Sequence, residues 1–364
     1  MSENMRSCSG LNIPEVTMHT KWGKENRDRI LKRVDPSQVH PEPRNTPAGI
    51  KAVKDAFSSV FLEGEKVEEL PFSENERRTL QIDLRDRTVY ESGKEKVLLK
   101  NIKVEIQDGE MVLILAGSGA GKTTFIDAVM GNEKANATIF YGGIDLYKDY
   151  ARLRHFISSV PQSNILREND TVYMTLRSAA ELKLPVQSAQ DQAQLERKIQ
   201  EVLETVNLTS ESNKLVSKLS GGQKRRLVVA VEYIADPCLF FLDEADSSLD
   251  GSQARILMSN LRSIADKGKI VVVITHSPDR ARDLFDKVIV LAKSSADNCG
   301  RLAFFGTPAE AMDFFEVSEL EKIVEKVDGV TRDENGNIHY LADRYIDRFA
   351  QLRAAVSHCS DNNY

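Results

Sequence analysis

Residues Ala116–Thr124 have the sequence AGSGAGKTT, and they lie between two segments with different hydrophobic patterns. The apolar run Met111–Leu115 before them predicts a buried strand, and Phe125–Met130 after them predicts the beginning of a helix. Small residues let the backbone of such a loop direct its N–H groups at one anion, and the helix N-terminus adds partial positive charge. The sequence therefore predicts a phosphate-binding loop between a strand and a helix.

Two side chains of this loop have predicted tasks of their own. The Lys122 ammonium would reach the outer phosphates, and the Thr123 hydroxyl would be a ligand of Mg²⁺. An ordinary flexible glycine-rich loop is the alternative, but the strand, the Lys-Thr pair and the helix stand where a phosphate site requires them. Ala116 replaces the glycine that begins the common pattern, and a small residue is expected to suffice because a strand ends there. The predicted nucleotide-binding residues of the loop are Gly117, Ser118, Gly119, Ala120, Gly121, Lys122, Thr123 and Thr124.

Composition limits the class of protein. The chain has 364 residues, of which 41% are hydrophobic, and a formal net charge of −6, so no global basic surface favours nucleic acid as a partner. Its longest apolar runs are far shorter than the roughly 20 residues that span a bilayer, and we expect neither a membrane span nor a secretory signal. The cysteines lack metal-ligand spacing, which is typical of free thiols in a reducing compartment. They are Cys8, Cys238, Cys299 and Cys359.

The hydrophobic pattern divides the chain into three parts. A polar, partly disordered extension is expected first, and its amphipathic helix would pack on its own domain or on a partner. A strand-rich core with an inserted block of helical pattern follows, and a helical tail ends the chain. The predicted bounds are 1–78 for the extension, 50–61 for its helix, 79–316 for the core, about 163–235 for the inserted helices and 317–364 for the tail. Within the core, Phe285–Ala292 and Arg301–Gly306 predict a hairpin at an edge of the sheet.

Acidic and imidazole side chains follow two further apolar runs. Cys238–Leu242 predicts a buried strand that ends at Asp243 and Glu244, and α/β sheets bind ligands at the carboxyl ends of their strands. Adjacent strand residues point to opposite faces, so the two acids are expected to have different tasks. An ion-paired strand end is the alternative. Ile270–Ile274 predicts another strand, and His276 just after it would either contact the same phosphate or serve a structural role.

A second glycine pair precedes a helix at Leu219–Gln223, which has the sequence LSGGQ. The glycines would make another anion-receptive helix N-terminus, or Ser220 would simply be the N-cap of the helix Lys224–Ile234. Tyr90 stands just before a polar turn upstream of the phosphate loop. Its ring could stack on a purine base or be an ordinary surface tyrosine, and the residues alone leave both interpretations open.

The order of these motifs carries a family resemblance. They are the loop at Ala116–Thr124, Pro161-Gln162, Leu219–Gln223, Asp243-Glu244, Ser248-Leu249-Asp250 and His276. From about Leu80 to Phe315 the chain resembles the nucleotide-binding domain of ATP-binding cassette (ABC) proteins. That resemblance implies an α/β fold with a P-loop NTPase core, in which helices flank a mostly parallel sheet. It also implies an antiparallel β subdomain and an inserted α-helical subdomain.

Within the family, the chain is most similar to the G-type transporters, the eye-pigment and pleiotropic-drug-resistance group, and their bacterial relatives. The similar segments are Leu219–Arg226, Thr275–Pro278, Leu284–Lys287 and Phe304–Pro308 leading to Phe314-Phe315. Two departures occur beside the expected catalytic residues. Ala245-Asp246 replaces the usual Pro-Thr pair, and Ser277 replaces the common Gln.

The resemblance implies roles for individual residues. Glu244 would polarise the attacking water, while His276 and Lys122 would stabilise charge on the γ-phosphate. Mg²⁺ would be bound by Thr123, by Asp243 through water, and by Gln162, which would also sense the attacking water and couple to a transmembrane partner. Tyr90 would stack on adenine.

A second cassette is part of the implied site. Ser220, Gly221, Gly222 and Gln223 would cap the γ-phosphate of an ATP held by the opposing cassette, and Asp250 would lie between the two sites. Two cassettes, in a homodimer or a heterodimer, would then enclose two ATP molecules head to tail.

These implications predict an ABC-type ATPase that powers a transporter whose membrane domain is on another chain or has been removed. The chain would be cytoplasmic, and a transmembrane permease would hold it at the inner face of the cell membrane. A non-transport cassette, such as a translation factor or a DNA-repair or chromosome ATPase, is the alternative. Translation-factor types usually carry two cassettes and chromosome types interrupt theirs with coiled coil, whereas this chain has one uninterrupted cassette and a negative net charge, which disfavours that class. A regulator without turnover would require a damaged site, whereas Glu244 and His276 are both present.

Overall fold

The computed structural model describes most of the chain after residue 76. The described residues are 77–91, 93–160, 166–184, 189–244, 246–247, 249–332 and 338–361, and they belong to one compact unit. Residues 1–76 of the predicted N-terminal extension, with its helix near 50–61, lie outside them, as does Gln162. The three domain boundaries therefore stay predictions.

Ten strands of the described residues form one sheet in the order β5-β4-β1-β2-β10-β9-β3-β8-β7-β6. Five neighbours, from β9 to β6, run parallel. The first four strands of the order are antiparallel, because the β1–β2 and β4–β5 hairpins pair through β1 and β4. The bounds are β1 Thr79–Glu91, β2 Lys94–Gln107, β3 Met111–Ala116, β4 Asn136–Tyr141, β5 Ile144–Asp145, β6 Ile157–Val160, β7 Leu239–Asp243, β8 Ile270–Ile274, β9 Lys287–Lys293 and β10 Gly300–Gly306. A separate hairpin joins β11 Val330–Arg332 and β12 Ile338–Tyr340.

Burial explains why the parallel strands have continuous apolar sequences. Every residue of β3 and β8 is buried, as expected for strands covered by helices on both faces. Strand β1 instead alternates between buried and exposed residues over its first half, which is the pattern of a sheet with one solvated face. The predicted fold class, a mostly parallel α/β core with an antiparallel β subdomain, is confirmed.

The prediction of an edge hairpin is only half right. Strands β9 and β10 are antiparallel neighbours, but β9 also pairs with β3, and β10 meets β2 at Gly300 and Leu99. The hairpin therefore lies inside the sheet. Its sequence carries the signal, because the five residues Val288–Ala292 are buried without alternation, and an edge strand would not require this.

Nine α-helices occur in the described residues. They are α1 Lys122–Val129, α2 Tyr150–Leu153, α3 Val172–Lys183, α4 Ala189–Thr205, α5 Gly221–Tyr233, α6 Gly251–Ala265, α7 Pro308–Phe315, α8 Glu321–Asp328 and α9 Leu341–Asp361. Helices α3 to α5 come between β6 and β7 in the chain, where the helical block was expected. Short 3₁₀ turns complete the elements at Arg154–Phe156, Thr209–Glu211, Val216–Lys218 and Pro278–Leu284. None of the described helices combines the length and the apolar composition needed to cross a bilayer.

The C-terminal segment packs on the sheet. Its helix α9 places Phe349 against Phe304, with ring centroids 5.4 Å apart, and Tyr345 against Phe315, at 4.7 Å. Such aromatic pairs contribute about 0.5–1.5 kcal/mol each beyond the area they bury. The sequence predicted only helices after Val317, whereas the structure also contains the β11–β12 hairpin.

Candidate nucleotide-binding site

The loop Ala116–Thr124 connects β3 to α1 as its sequence predicts. Gly119 and Gly121 have φ angles of +66° and +88°, a region that residues with a Cβ atom rarely adopt. Gly121 is also crowded, because a Cβ there would lie 2.6 Å from Leu99 Cδ2. Its carbonyl accepts the Phe125 N–H at 2.8 Å and begins the helix. The glycines thus allow both the backbone turn and its close packing on β2.

The ends of β7 and β8 bring the predicted catalytic pair together. His276 Nε2 and Glu244 Oε1 are 2.8 Å apart. The Glu244 N–H donates to the Ile274 carbonyl at 3.0 Å, which fixes the residue against the neighbouring strand end. Glu244 has a φ of +49°, a costly conformation for a residue with a side chain, and such strain is concentrated at functional sites.

Asp243 precedes this pair and has a different environment. Burial raises the pKa of Asp243, and the neighbouring Glu244 carboxylate raises it further, while Lys122 and His276 act in the opposite direction. A cation beside the carboxylate would relieve this penalty. The different surroundings of Asp243 and Glu244 agree with different tasks for the two acids.

The available oxygen atoms fit a divalent cation of the Mg²⁺ type. Thr123 is exposed in the first turn of α1, and the half-buried Asp243 ends β7, so a hydroxyl and a carboxylate face the same edge of the sheet. The described residues contain no cluster of three acidic, histidine or cysteine side chains that could hold a metal alone. Mg²⁺ usually retains waters and substrate phosphates as ligands, so a protein contribution of one or two oxygens suits it.

The buried carboxylate of Asp246 holds the segment around His276 by hydrogen bonds. Asp246 Oδ2 accepts the Thr275 hydroxyl at 2.5 Å, and Thr275 Oγ1 accepts the Ser277 N–H at 3.0 Å. Arg225 on α5 is buried as well; burial lowers its pKa, and the charges of Asp246 and Asp243 oppose that shift. Asp246, which replaces the usual Thr, therefore links the segment after β7 to Thr275 after β8. Thr275 and Ser277 are the two neighbours of His276 in sequence.

The second glycine pair begins α5 as a capped helix. Ser220 Oγ accepts the Gln223 N–H at 3.2 Å, and Gln223 Oε1 accepts the Ser220 N–H at 2.9 Å, which confirms Ser220 as the N-cap. A Cβ on Gly222 would lie 2.5 Å from Gln253 Oε1. Ser220 and Gly221 are exposed, so the N-terminal turn of α5 is accessible to an anion from outside this cassette.

Asp250 is the N-cap of α6. Its Oδ1 accepts the N–H groups of Ser252 and Gln253, both at 2.9 Å. Gln253 in turn accepts a hydrogen bond from Arg226 of α5 at 3.0 Å. Asp250 is thus linked to Arg226 of α5 through Gln253.

The structure groups the predicted site residues unequally. The phosphate loop, Asp243, Glu244 and His276 share the carboxyl edge of adjacent strands β3, β8 and β7. Tyr90 is 80% exposed near the end of β1, which is four places from β3 in the sheet. The loop at Ser220–Gln223 and Asp250 begin separate helices. The candidate site within this chain therefore contains the residues predicted to bind phosphate, whereas Tyr90, Ser220 and Asp250 are exposed away from them in the sheet order or on separate helices.

Sequence reasoning missed one residue at the loop. The Ser118 N–H donates to the Asp328 carboxylate, with N···Oδ1 and N···Oδ2 distances of 3.2 and 3.0 Å. Asp328 ends α8, in which Ile323 and Val327 are buried, and Leu320 just before the helix is buried at the same helical spacing. That spacing could have predicted a helix, but nothing in the sequence places it beside the loop.

Residues 99–247, which include the phosphate loop, the helical block and Asp243-Glu244, match the family described as ABC transporter. Residues 99–247 of the chain therefore form a domain of the ABC transporter family. The family resemblance stated from the motifs is thereby confirmed.

Two curated relatives and one solved structure show the extent of this similarity. The ABC transporter ATP-binding/permease protein Rv1747 of Mycobacterium tuberculosis is 35% identical over 236 residues, 65% of this chain and 26% of that protein. ABC transporter G family member 19 of Arabidopsis thaliana is 29% identical over 341 residues, 89% of this chain and 45% of that protein. The structure of cbiO1 from Clostridium perfringens, part of the ABC transporter complex cbiONQ, superimposes with a TM-score of 0.54 at 25% identity, covering 64% of this chain and 90% of that one. The chain spans less than half the length of these two curated relatives.

Proposed function

We propose that this chain binds and hydrolyses ATP as the cassette of an ABC transporter, and that hydrolysis drives transport through a separate or adjoining membrane domain. The observation that carries the proposal is the Glu244–His276 pair, 2.8 Å apart at the strand edge that also bears the phosphate loop. Both curated relatives described above have names that include transport. A translation-factor or chromosome-type cassette has no comparable support.

Hydrolysis would depend on positioning and on neutralising charge at the γ-phosphoryl group. The loop N–H groups would hold the phosphate chain while Lys122 neutralises its outer oxygens. Bound Mg²⁺, held by Thr123 and Asp243, would supply further positive charge to the phosphate oxygens. Glu244 would take a proton from the attacking water, and His276 would hold the Glu244 carboxylate and donate towards the γ-phosphate. Gln162 is assigned its metal and water contacts by resemblance.

A second cassette would complete the site. The exposed turn at Ser220–Gln223 is preorganised by its capping box, and its N–H groups and the Ser220 hydroxyl could cap a γ-phosphate held across a dimer interface. Asp250 is linked to α5 through Gln253 and Arg226, and the exposed Tyr90 ring is accessible to an adenine ring. We further propose a cytoplasmic location at the membrane, with a permease as the second partner and no nucleic acid.

The replacement Glu244→Gln tests this function directly. It should lower the ATP hydrolysis rate by about 10²–10⁴-fold, because the amide cannot accept the proton from water. ATP binding should persist, and an ATP-dependent dimer should accumulate in size-exclusion chromatography with light scattering. Glu105→Gln, at an exposed position on β2, is the matched control and should hydrolyse at the wild-type rate. Wild-type protein without hydrolysis, or an active Glu244→Gln variant, would overturn the proposal.

A further inference from the structure

The carboxylate of Asp328 lies on the phosphate loop, 210 residues away in sequence from its hydrogen-bond donor, Ser118. Both carboxylate oxygens face the Ser118 N–H, at 3.2 and 3.0 Å. The contact also uses the missing side chain of Gly117, because a Cβ there would overlap Asp328 Oδ1. An anion thus already contacts the loop that is expected to bind the phosphates.

Helix α8 ends at Asp328, and its opposite end is anchored by Asp279. At its N-terminus, the N–H groups of Leu320 and Glu321 donate to the two carboxylate oxygens of Asp279, each at 2.9 Å. Asp279 is the third residue after His276, in the 3₁₀ turn Pro278–Leu284. The helix therefore connects the histidine segment to the phosphate loop, and its eight residues span about 12 Å.

A bound triphosphate and this carboxylate would compete. Each would use the Ser118 N–H as a donor, and two anions a few ångströms apart repel each other. We propose that Asp328 is an intramolecular competitor of ATP. Nucleotide must displace the Asp328 carboxylate from the loop in order to bind, and this competition sets the nucleotide affinity of the cassette. The proposal rests on the function proposed above.

Displacement would have a measurable cost in affinity. When the competent state is only a fraction of the molecules, the apparent dissociation constant equals the intrinsic constant divided by that fraction. The carboxylate is exposed and makes contact through one N–H group, so we expect it to occupy the loop in most, but not all, molecules. Removing it should lower the dissociation constant for ATP by about threefold to tenfold.

The first experiment measures that constant by calorimetry on the full chain. Asp328→Asn removes the charge at constant size, and Asp328→Ala removes the acceptor as well; both should bind ATP more tightly than wild type. Glu325→Gln is the matched control, since this exposed acid is one turn earlier on α8 and no hydrogen bond to the loop is described for it. It should bind ATP as wild type does, which separates contact at the loop from general surface charge.

The second experiment follows α8 by hydrogen–deuterium exchange of residues 320–329. ATP should increase exchange there in wild type, whereas Asp328→Ala should show the higher exchange before ATP is added. Equal ATP affinities of wild type and Asp328→Asn would overturn the proposal and leave the proposed function intact. Weaker binding of Mg²⁺-ATP by Asp328→Asn would also overturn it, because Asp328 would then assist the site. Failure of every variant to bind ATP would refute both proposals.

Discussion

The carboxylate of Asp246 should affect turnover as well as stability, and the replacement Asp246→Ala tests this. Asp246 is buried and accepts the Thr275 hydroxyl at 2.5 Å, while Thr275 accepts the Ser277 N–H at 3.0 Å. These bonds lie on both sides of His276 in sequence. The alanine variant would therefore release the segment that holds the imidazole 2.8 Å from Glu244.

The expected size follows from the groups that are lost. A buried hydrogen bond to a charged group contributes about 1.5–3 kcal/mol. Arg225 also loses one of the two carboxylates that favour its charged form, although Asp243 remains. We expect the free energy of unfolding to fall by about 3 kcal/mol. A displacement of His276 by about 1 Å should lower kcat by about 10²-fold.

Two assays separate positioning from a purely structural role. Urea denaturation gives the stability, and steady-state ATPase kinetics give kcat and KM; the KM for ATP should stay near its wild-type value because the phosphate loop is untouched. Asp246→Asn keeps an acceptor for Thr275 and should recover kcat to within about threefold while staying less stable, since Arg225 still loses a charge. Asp313→Ala, at an exposed position on α7, is the control. An Asp246→Ala enzyme that is less stable but retains wild-type kcat would refute the positioning role.

Three further predictions concern other parts of the chain. Lys122→Ala should abolish measurable ATP binding by calorimetry, because the outer phosphates lose their cation; retained affinity would remove Lys122 from the site. Ser220→Arg should stop hydrolysis while monomeric ATP binding is unchanged, and undiminished turnover would argue against a head-to-tail dimer. Burial raises the pKa of Asp236, but hydrogen-bonded Lys269 and Lys198 outweigh this and leave it lowered. A carboxyl group whose pKa is lowered in the folded state stabilises the fold at pH values above its unfolded pKa of about 3.9. The Asp236→Asn variant should therefore be less stable than wild type by about 0.5–1 kcal/mol at pH 7. This difference in stability should shrink as the pH falls through the pKa of Asp236 in the folded protein. Urea titrations between pH 7 and pH 3.5 would check it, and a gap that widens in acid would contradict the sign.

Local sequence patterns correctly predicted the strand and the helix on either side of the loop Ala116–Thr124. The apolar runs before Ala116 and Asp243 predicted strands that the structure contains. The rule that α/β sheets bind ligands at the carboxyl ends of their strands predicted the edge at which Asp243 and Glu244 lie. The position of the β9–β10 hairpin was wrong because a strand's neighbours depend on long-range pairing. The sequence showed that Asp246 departs from the usual pattern, but it did not show that Asp246 contacts Thr275.

Contacts between distant segments explain what the sequence could not supply. Asp328 and Ser118 are separated by 210 residues, and no periodic pattern encodes which helix end meets which loop. The buried positions of α8 could predict a helix, yet an exposed aspartate at its end resembles any solvated acid. Such a contact becomes visible only when the tertiary structure is known.

The strand order has a consequence for how the chain folds. Among the described strands, β3 pairs with β8 and β9 alone, and both follow it by more than 150 residues. Strands β2 and β9 are joined through β10. During synthesis, the antiparallel strands β1, β2, β4 and β5 can pair early, whereas β3 stays unpaired until β8 and β9 have been synthesised. Strand β10 joins the two parts of the sheet only after the chain has passed Gly306. Pairing at such sequence separation is slow, and open strand edges promote aggregation. The last hairpin of the sheet therefore closes the fold, and its formation is expected to limit the folding rate of the cassette.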